Sequence, residues 1–107
     1  MWHGSAAEQA QALAPDGVRV VSAFQTVSGE TLADLDHVLD EDVLVCGDKK
    51  ADKDKAIELV NRIDGLRAVN AGALETARIV EPMTALLISI NVRHKTHAGI
   101  RITGLDR

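Results

Sequence analysis

An α/β fold is predicted by three features of this chain. Residues 65–81, GLRAVNAGALETARIVE, read as a short apolar strand, a tight turn at Gly72 and the start of a helix. The hydrophobic content is 46% but the aromatic content only 2%, so the core must come from Val, Leu, Ile and Ala, which suits strands between helices. A length of 107 residues supplies one core, and no repeat or low-complexity linker divides it, so one domain over residues 1–107 is expected.

The elements follow in order. Residues 5–14 read as a helix capped by Ser5 or Gly4, with Glu8 three residues after Ser5 in capping-box spacing and Pro15 beyond the end. Residues 18–24 are apolar and β-branched apart from Arg19 and Ser22, which makes them the first strand. Residues 29–39 place Leu32, Leu35, Val38 and Leu39 at spacings that fit a short helix or a packed loop; helix is the assignment taken. DVLVCGD at 42–48 is the second strand. Residues 50–63 form an amphipathic helix with Ala56, Leu59, Val60 and Ile63 on one face, ended by Asp64-Gly65.

The third strand then enters a helix of residues 73–95, from Ala73 to Lys95. Ile79, Met83, Leu86, Leu87 and Ile90 line one face, and Val80, Ile88 and Val92 widen the stripe. Pro82 lacks an amide donor and should kink this helix or start its longer part. So broad an apolar surface exceeds what the small sheet can cover, an independent reason to expect a homodimer through this helix.

Composition excludes several functions. A net charge of −4 with no basic cluster argues against nucleic acid. The most apolar stretch, residues 83–92, is interrupted by Thr84, Ser89 and Asn91, so no membrane span is expected. One cysteine, Cys46, and no signal-peptide pattern point to the cytoplasm. The chain contains no GxGxxG, P-loop, HExxH or CxxC. Cys46 reads as a small buried strand residue, and His94 with His97 as solvated side chains, since two imidazoles without a third ligand make a poor metal site; no metal is expected. The run DKKADKDK at 48–55 reads as a solvated face, and Arg78 with Glu81 either as a surface pair or as an anchor for the turn at Asn70. By contrast, residues 23–29, AFQTVSG, put small, polar and glycine residues where a strand should empty into a ligand cleft.

Taken in order, VVSAFQTVS, DVLVCGD, GLRAVNAGALETARIVE and GIRITGL resemble the C-terminal half of the NADPH-dependent coenzyme F420 reductases, from about Ser5 to Leu105. The resemblance implies the C-terminal portion of a Rossmann-like NADP-binding reductase, with about three to four strands, flanking helices and a long C-terminal helix that helps form a dimer. Family members place a Gly-rich nucleotide-binding unit ahead of this region. These residues lack that unit, so the chain is expected to be half an enzyme, inactive in isolation, with an upstream nucleotide-binding half as a further partner.

The implied cofactors are NADP(H) and coenzyme F420, an 8-hydroxy-5-deazaflavin. The implied reaction is hydride transfer between C4 of the nicotinamide and C5 of the deazaflavin. Such transfer needs ring stacking and water exclusion but no protein nucleophile or acid–base pair, so no catalytic side chain is named. Carried over by resemblance, Val27 and Gly29 face the nicotinamide nucleotide, Gln25 and Thr26 approach the deazaflavin, and Ala98 makes a backbone contact to F420. Three positions depart from the family pattern: Gln25 replaces a common histidine, Asn70 an aspartate, and Ala73 the proline after the glycine. These cast doubt on affinity and rate. The alternatives are a non-catalytic dimerising α/β module, and a pyrroline-carboxylate or hydroxy-acid dehydrogenase relative, which the short tail after Ile90 disfavours.

Overall fold

The computed structural model describes residues 4–27 and 39–105. The segment expected as a helix over 29–39 lies, except for Leu39, outside the described residues. Helix α1, Ala6–Leu13, begins as the sequence requires: the Glu8 amide donates to Ser5 Oγ at 3.1 Å, and the Ser5 hydroxyl donates to the Glu8 carboxylate at 3.0 Å. Strand β1, Glu41–Cys46, leads to helix α2, Lys50–Asn61, and then to strand β2, Leu66–Gly72.

The two strands pair in parallel, Glu41 opposite Leu66, with an irregularity between Val45 and Cys46. Every residue of β1 is buried, as expected for a parallel strand covered on both faces. Its alternation sorts the core. Val43 and Val45 pack with Val60 and Leu66 on the α2 side, whereas Leu44 and Cys46 pack with Val80 and Met83 on the other. Ala56 of α2 and Ile63 just beyond its end face this core, but Leu59 is 61% exposed and Ile57 takes its place. Gly65, at φ 86°, has no side chain because a Cβ there would collide with the Leu39 carbonyl.

After β2 the chain turns at Gly72, φ 105°, into a 3₁₀ turn, Leu74–Thr76, and a single helical turn α3, Ala77–Val80. The path bends at Glu81-Pro82 and continues as α4, Met83–His94. Pro82 thus starts the longer part of the expected 73–95 helix, where its missing amide costs nothing.

The α/β class stands, but among the described residues only two of the expected three to four strands are regular. Residues 18–24 make one antiparallel bridge, with the Ser22 and Cys46 amides donating to each other's carbonyls at 2.8 and 2.9 Å. The strand stops there because Phe24 turns to φ 63°. Upstream, the Gln11 carboxamide stands in for a neighbouring strand, donating to the Val18 carbonyl and accepting from the Val20 amide. The closing GIRITGL segment also runs without regular pairing. Asp42 donates its amide to the Ile100 carbonyl at 2.6 Å, and its carboxylate accepts the Ile102 amide at 2.6 Å.

Candidate functional site

The turn after residues 18–24 is pinned from both sides. Ser22 is buried against Cys46, Thr26 is buried, and the Val27 amide donates to the Phe24 carbonyl at 3.3 Å. Thr84, on the first turn of α4, donates its hydroxyl to the Gln25 carbonyl. At the other end of α4, Lys95 adopts φ 53°, and its amide and that of Thr96 both donate to the Asn91 carbonyl. This six-to-one closure folds the chain back, as in a Schellman ending, with lysine where glycine is usual. The Asn91 side chain then accepts the Ala98 amide at 2.6 Å.

Between these two rims lies a cavity of about 240 Å³, lined by Gln25, Thr26 and Val27, by Thr84, Leu87, Ile88 and Asn91 of α4, and by Ala98. Four of the five residues singled out in the sequence therefore meet at one place, although Ala98 is more than 70 positions from the others. The fifth, Gly29, lies outside the described residues. Sequence reasoning missed the α4 contribution. The available signal was that Thr84 and Asn91 interrupt an apolar stripe at a spacing of two helical turns.

The lining offers hydroxyl, carboxamide, backbone and aliphatic groups, and none of its side chains titrates. Such walls can hydrogen-bond and pack against apolar surface, but they carry no side chain that moves a proton. The volume falls below the roughly 300–1,000 Å³ usual for drug-sized ligands. Behind the site, burial pushes the Cys46 thiol up, which disfavours the reactive thiolate. Among the described residues no group of three side chains could hold a metal ion.

The remaining sequence candidates have structural partners. Arg78 and Glu81 bind neither each other nor Asn70. Arg78 makes a two-pronged contact with Glu8 at 2.7 and 2.8 Å, and the Glu81 carboxylate accepts the Ala6 and Ala7 amides at the start of α1. The charged run 48–55 is more than a solvated face. Asp48 accepts the Leu74 amide at 3.0 Å, Lys53 donates to Asn70 Oδ1 at 3.1 Å, and Asp52 holds Arg19. Hydrogen bonding from Arg19 keeps the Asp52 carboxyl below its ordinary range. Asn70 also accepts the Gly72 amide, closing the turn locally. A second cavity, about 210 Å³, lies beside the Arg19–Asp52 pair and Gln11, where charges and amides already satisfy one another.

No family model matches the chain. Among characterised proteins it is 47% identical over 104 residues to the F420-dependent NADP reductase of Methanocaldococcus jannaschii, covering 96% of the chain and 46% of that protein. It is 44% identical over 107 residues to the F420-dependent NADP reductase of Methanothermobacter marburgensis and 45% identical over 107 residues to that of Methanothermobacter thermautotrophicus, covering 98% of the chain and 48% and 46% of those proteins. The chain thus spans about half the length of the relatives it matches. The resemblance to the C-terminal half of these reductases, read from the sequence, is borne out.

Proposed function

We propose that this chain is the ring-binding half of a reductase that transfers hydride between NADP(H) and coenzyme F420. One observation carries the reading: Gln25, Thr26, Val27 and Ala98, drawn from both ends of the chain, line a single non-titrating cavity. When bound, the deazaflavin and nicotinamide supply the two-electron chemistry. This chain's part is to orient and shield. Leu87, Ile88 and Val27 provide apolar walls, Gln25 and Ala98 provide polar contacts, and Thr84 and Asn91 hold those contacts in place.

Phosphate recognition is the missing contribution. The 107 residues carry no Gly-rich phosphate-binding fingerprint, so NADP(H) would have little to hold beyond contacts at Val27 and Gly29. Each lost hydrogen bond to a charged phosphate costs roughly 1.5–3 kcal/mol, enough in sum to weaken binding by orders of magnitude. The isolated chain should therefore bind deazaflavin weakly and show no appreciable turnover, while fusion to the nucleotide-binding half of a relative restores turnover. Following deazaflavin absorbance with NADPH tests this. Robust reduction by the chain alone defeats the half-enzyme reading, and a folded but inactive fusion favours a non-catalytic dimerising module.

Self-association belongs to the same proposal. Ile79, Leu86, Ile88 and Val92 are all more than half exposed, leaving apolar surface on more than one face of α3 and α4, part of which a second copy would cover. Leu86→Glu, which avoids the cavity lining, should convert a dimer to monomers in light scattering; a wild-type monomer at high micromolar concentration refutes it. No helix among the described residues is long and apolar enough to cross a membrane. A single buried thiol suits a cytoplasmic setting.

A further inference from the structure

Two Asp-Gly turns in this chain share one local geometry. In residues 15–18 the Val18 amide donates to the Pro15 carbonyl at 3.1 Å with Gly17 at φ 85°, and in residues 63–66 the Leu66 amide donates to the Ile63 carbonyl at 3.2 Å with Gly65 at φ 86°. Both aspartates and both glycines are exposed, and neither the aspartate carboxylates nor the glycine amides have a hydrogen-bond partner among the described residues. We propose that Asp16 is a covalent self-modification site that isomerises to isoaspartate through a cyclic imide with the Gly17 amide, whereas packing holds Asp64 back from the same reaction.

In the first step the Gly17 nitrogen attacks the side-chain carboxyl carbon of Asp16. The N–Cγ bond forms, a C–O bond breaks, and the amide proton leaves with the hydroxyl as water. Water then reopens the ring: attack at Cγ restores aspartate, and attack at the former backbone carbonyl leaves the chain running through Cγ with the α-carboxylate free. No oxidant or cofactor is consumed. Glycine suits the nucleophile because it has no Cβ to obstruct the approach. Ring closure swings the glycine relative to the aspartate, and here the two turns differ. A Cβ built on Gly17 would meet no atom beyond its chain neighbours within 4 Å, so this residue has room to turn. Gly65 sits against the Leu39 carbonyl, where a Cβ would collide, and its own carbonyl accepts the Glu41 amide at 3.0 Å at the start of the paired strands. Isoaspartate at position 16 adds one backbone carbon to the turn that Gln11 spans. The Gln11 carboxamide there ties α1 to the following segment, donating to the Val18 carbonyl at 2.8 Å and accepting the Val20 amide at 2.6 Å.

In water enriched in oxygen-18, each passage through the imide adds one heavy oxygen, whether aspartate or isoaspartate results. The test ages the 107-residue chain in this water at neutral pH, natively and in urea, then digests it and reads the peptides carrying Asp16 and Asp64 by mass spectrometry. Methyl transfer from S-adenosylmethionine by an isoaspartyl methyltransferase reports the new linkage. Natively, Asp16 should take up label at least about fivefold faster than Asp64, the factor for breaking one hydrogen bond of Gly65 before its ring can close. In urea, where Leu39 and Glu41 no longer hold Gly65, the two rates should converge. Equal native rates, or a native ratio that persists unchanged in urea, overturns the proposal, since packing would then not choose the site. Label at neither aspartate of the native chain while the unfolded chain takes it up at both also overturns it, as does labelled Asp16 that accepts no methyl group. No variant is needed, so no result depends on a substitution folding.

Discussion

Replacing Arg67 with methionine should cost about 3–5 kcal/mol of stability, the usual penalty for removing one member of a buried ion pair. Asp42 is fully buried, and Arg67 grips it from the neighbouring strand, with Nε donating to Oδ1 at 3.1 Å and Nη2 to Oδ2 at 2.7 Å. The same guanidinium donates to the Ile102 carbonyl at 3.1 Å, so it joins β1, β2 and the closing segment at one point. Without it, the Ile102 amide still donates to the Asp42 carboxylate but cannot balance its charge. For a domain with about 5–15 kcal/mol in total, the loss is about a fifth or more of its stability.

Urea denaturation followed by far-UV circular dichroism measures the change. The exposed Arg62–Glu58 pair is the internal control, and Arg62→Ala should fall within about 1 kcal/mol of wild type. The double variant Asp42→Asn with Arg67→Met removes the buried charge yet keeps an acceptor for the Ile102 amide, so it should recover more than half of the loss. Faster hydrogen exchange at Ile102 in the single variant would show the closing segment coming loose. If Arg67→Met loses less than about 1 kcal/mol, like the surface control, the burial argument is wrong.

Three further outcomes follow from local geometry. Lys95→Gly should raise stability by about 1 kcal/mol, since φ 53° costs a side-chain-bearing residue roughly that much; a decrease in the urea midpoint would contradict the strain assignment. Cys46 should resist alkylation at neutral pH and react only in denaturant, because burial raises its thiol; rapid labelling of the native chain would refute this. The Asp52 carboxyl, lowered first by the Arg19 hydrogen bond, contributes stability above its unfolded value that is lost as pH falls through the lower folded value. Arg19→Met should therefore move its carbon-13 titration midpoint upward and remove that part of the acid limb, and an unmoved midpoint would exclude the pair as the cause.

Local chemistry made some elements readable from sequence and long-range pairing hid others. Ser5 and Glu8 announce the start of α1 because both partners of the cap lie within one turn. Gly72 and Pro82 mark a turn and a helix start because each restricts its own backbone. Residues 18–24 have the composition of a strand, yet strand content says nothing about how many neighbours are available. Their ladder is cut to one bridge by the turn at Phe24, with the Gln11 side chain filling in upstream. The Asp42–Arg67 pair was equally hidden, since its meaning appears only when β1 and β2 lie side by side.

The same logic applies at the site. Gln25, Thr26, Val27 and Ala98 were reached by resemblance, whereas Thr84 and Asn91 entered the sequence reading only as interruptions of an apolar stretch. A polar side chain on the apolar face of a helix costs about 1–3 kcal/mol unless it finds a partner. Thr84 finds one 59 residues away and Asn91 one seven residues ahead, and both partners are backbone groups at the cavity rims. Backbone groups have no residue-type signature, so no motif could have named the pairs. Two polar residues spaced by whole helical turns within an apolar stripe are nevertheless a readable demand for partners, and here those partners are the two rims that the cavity needs held apart.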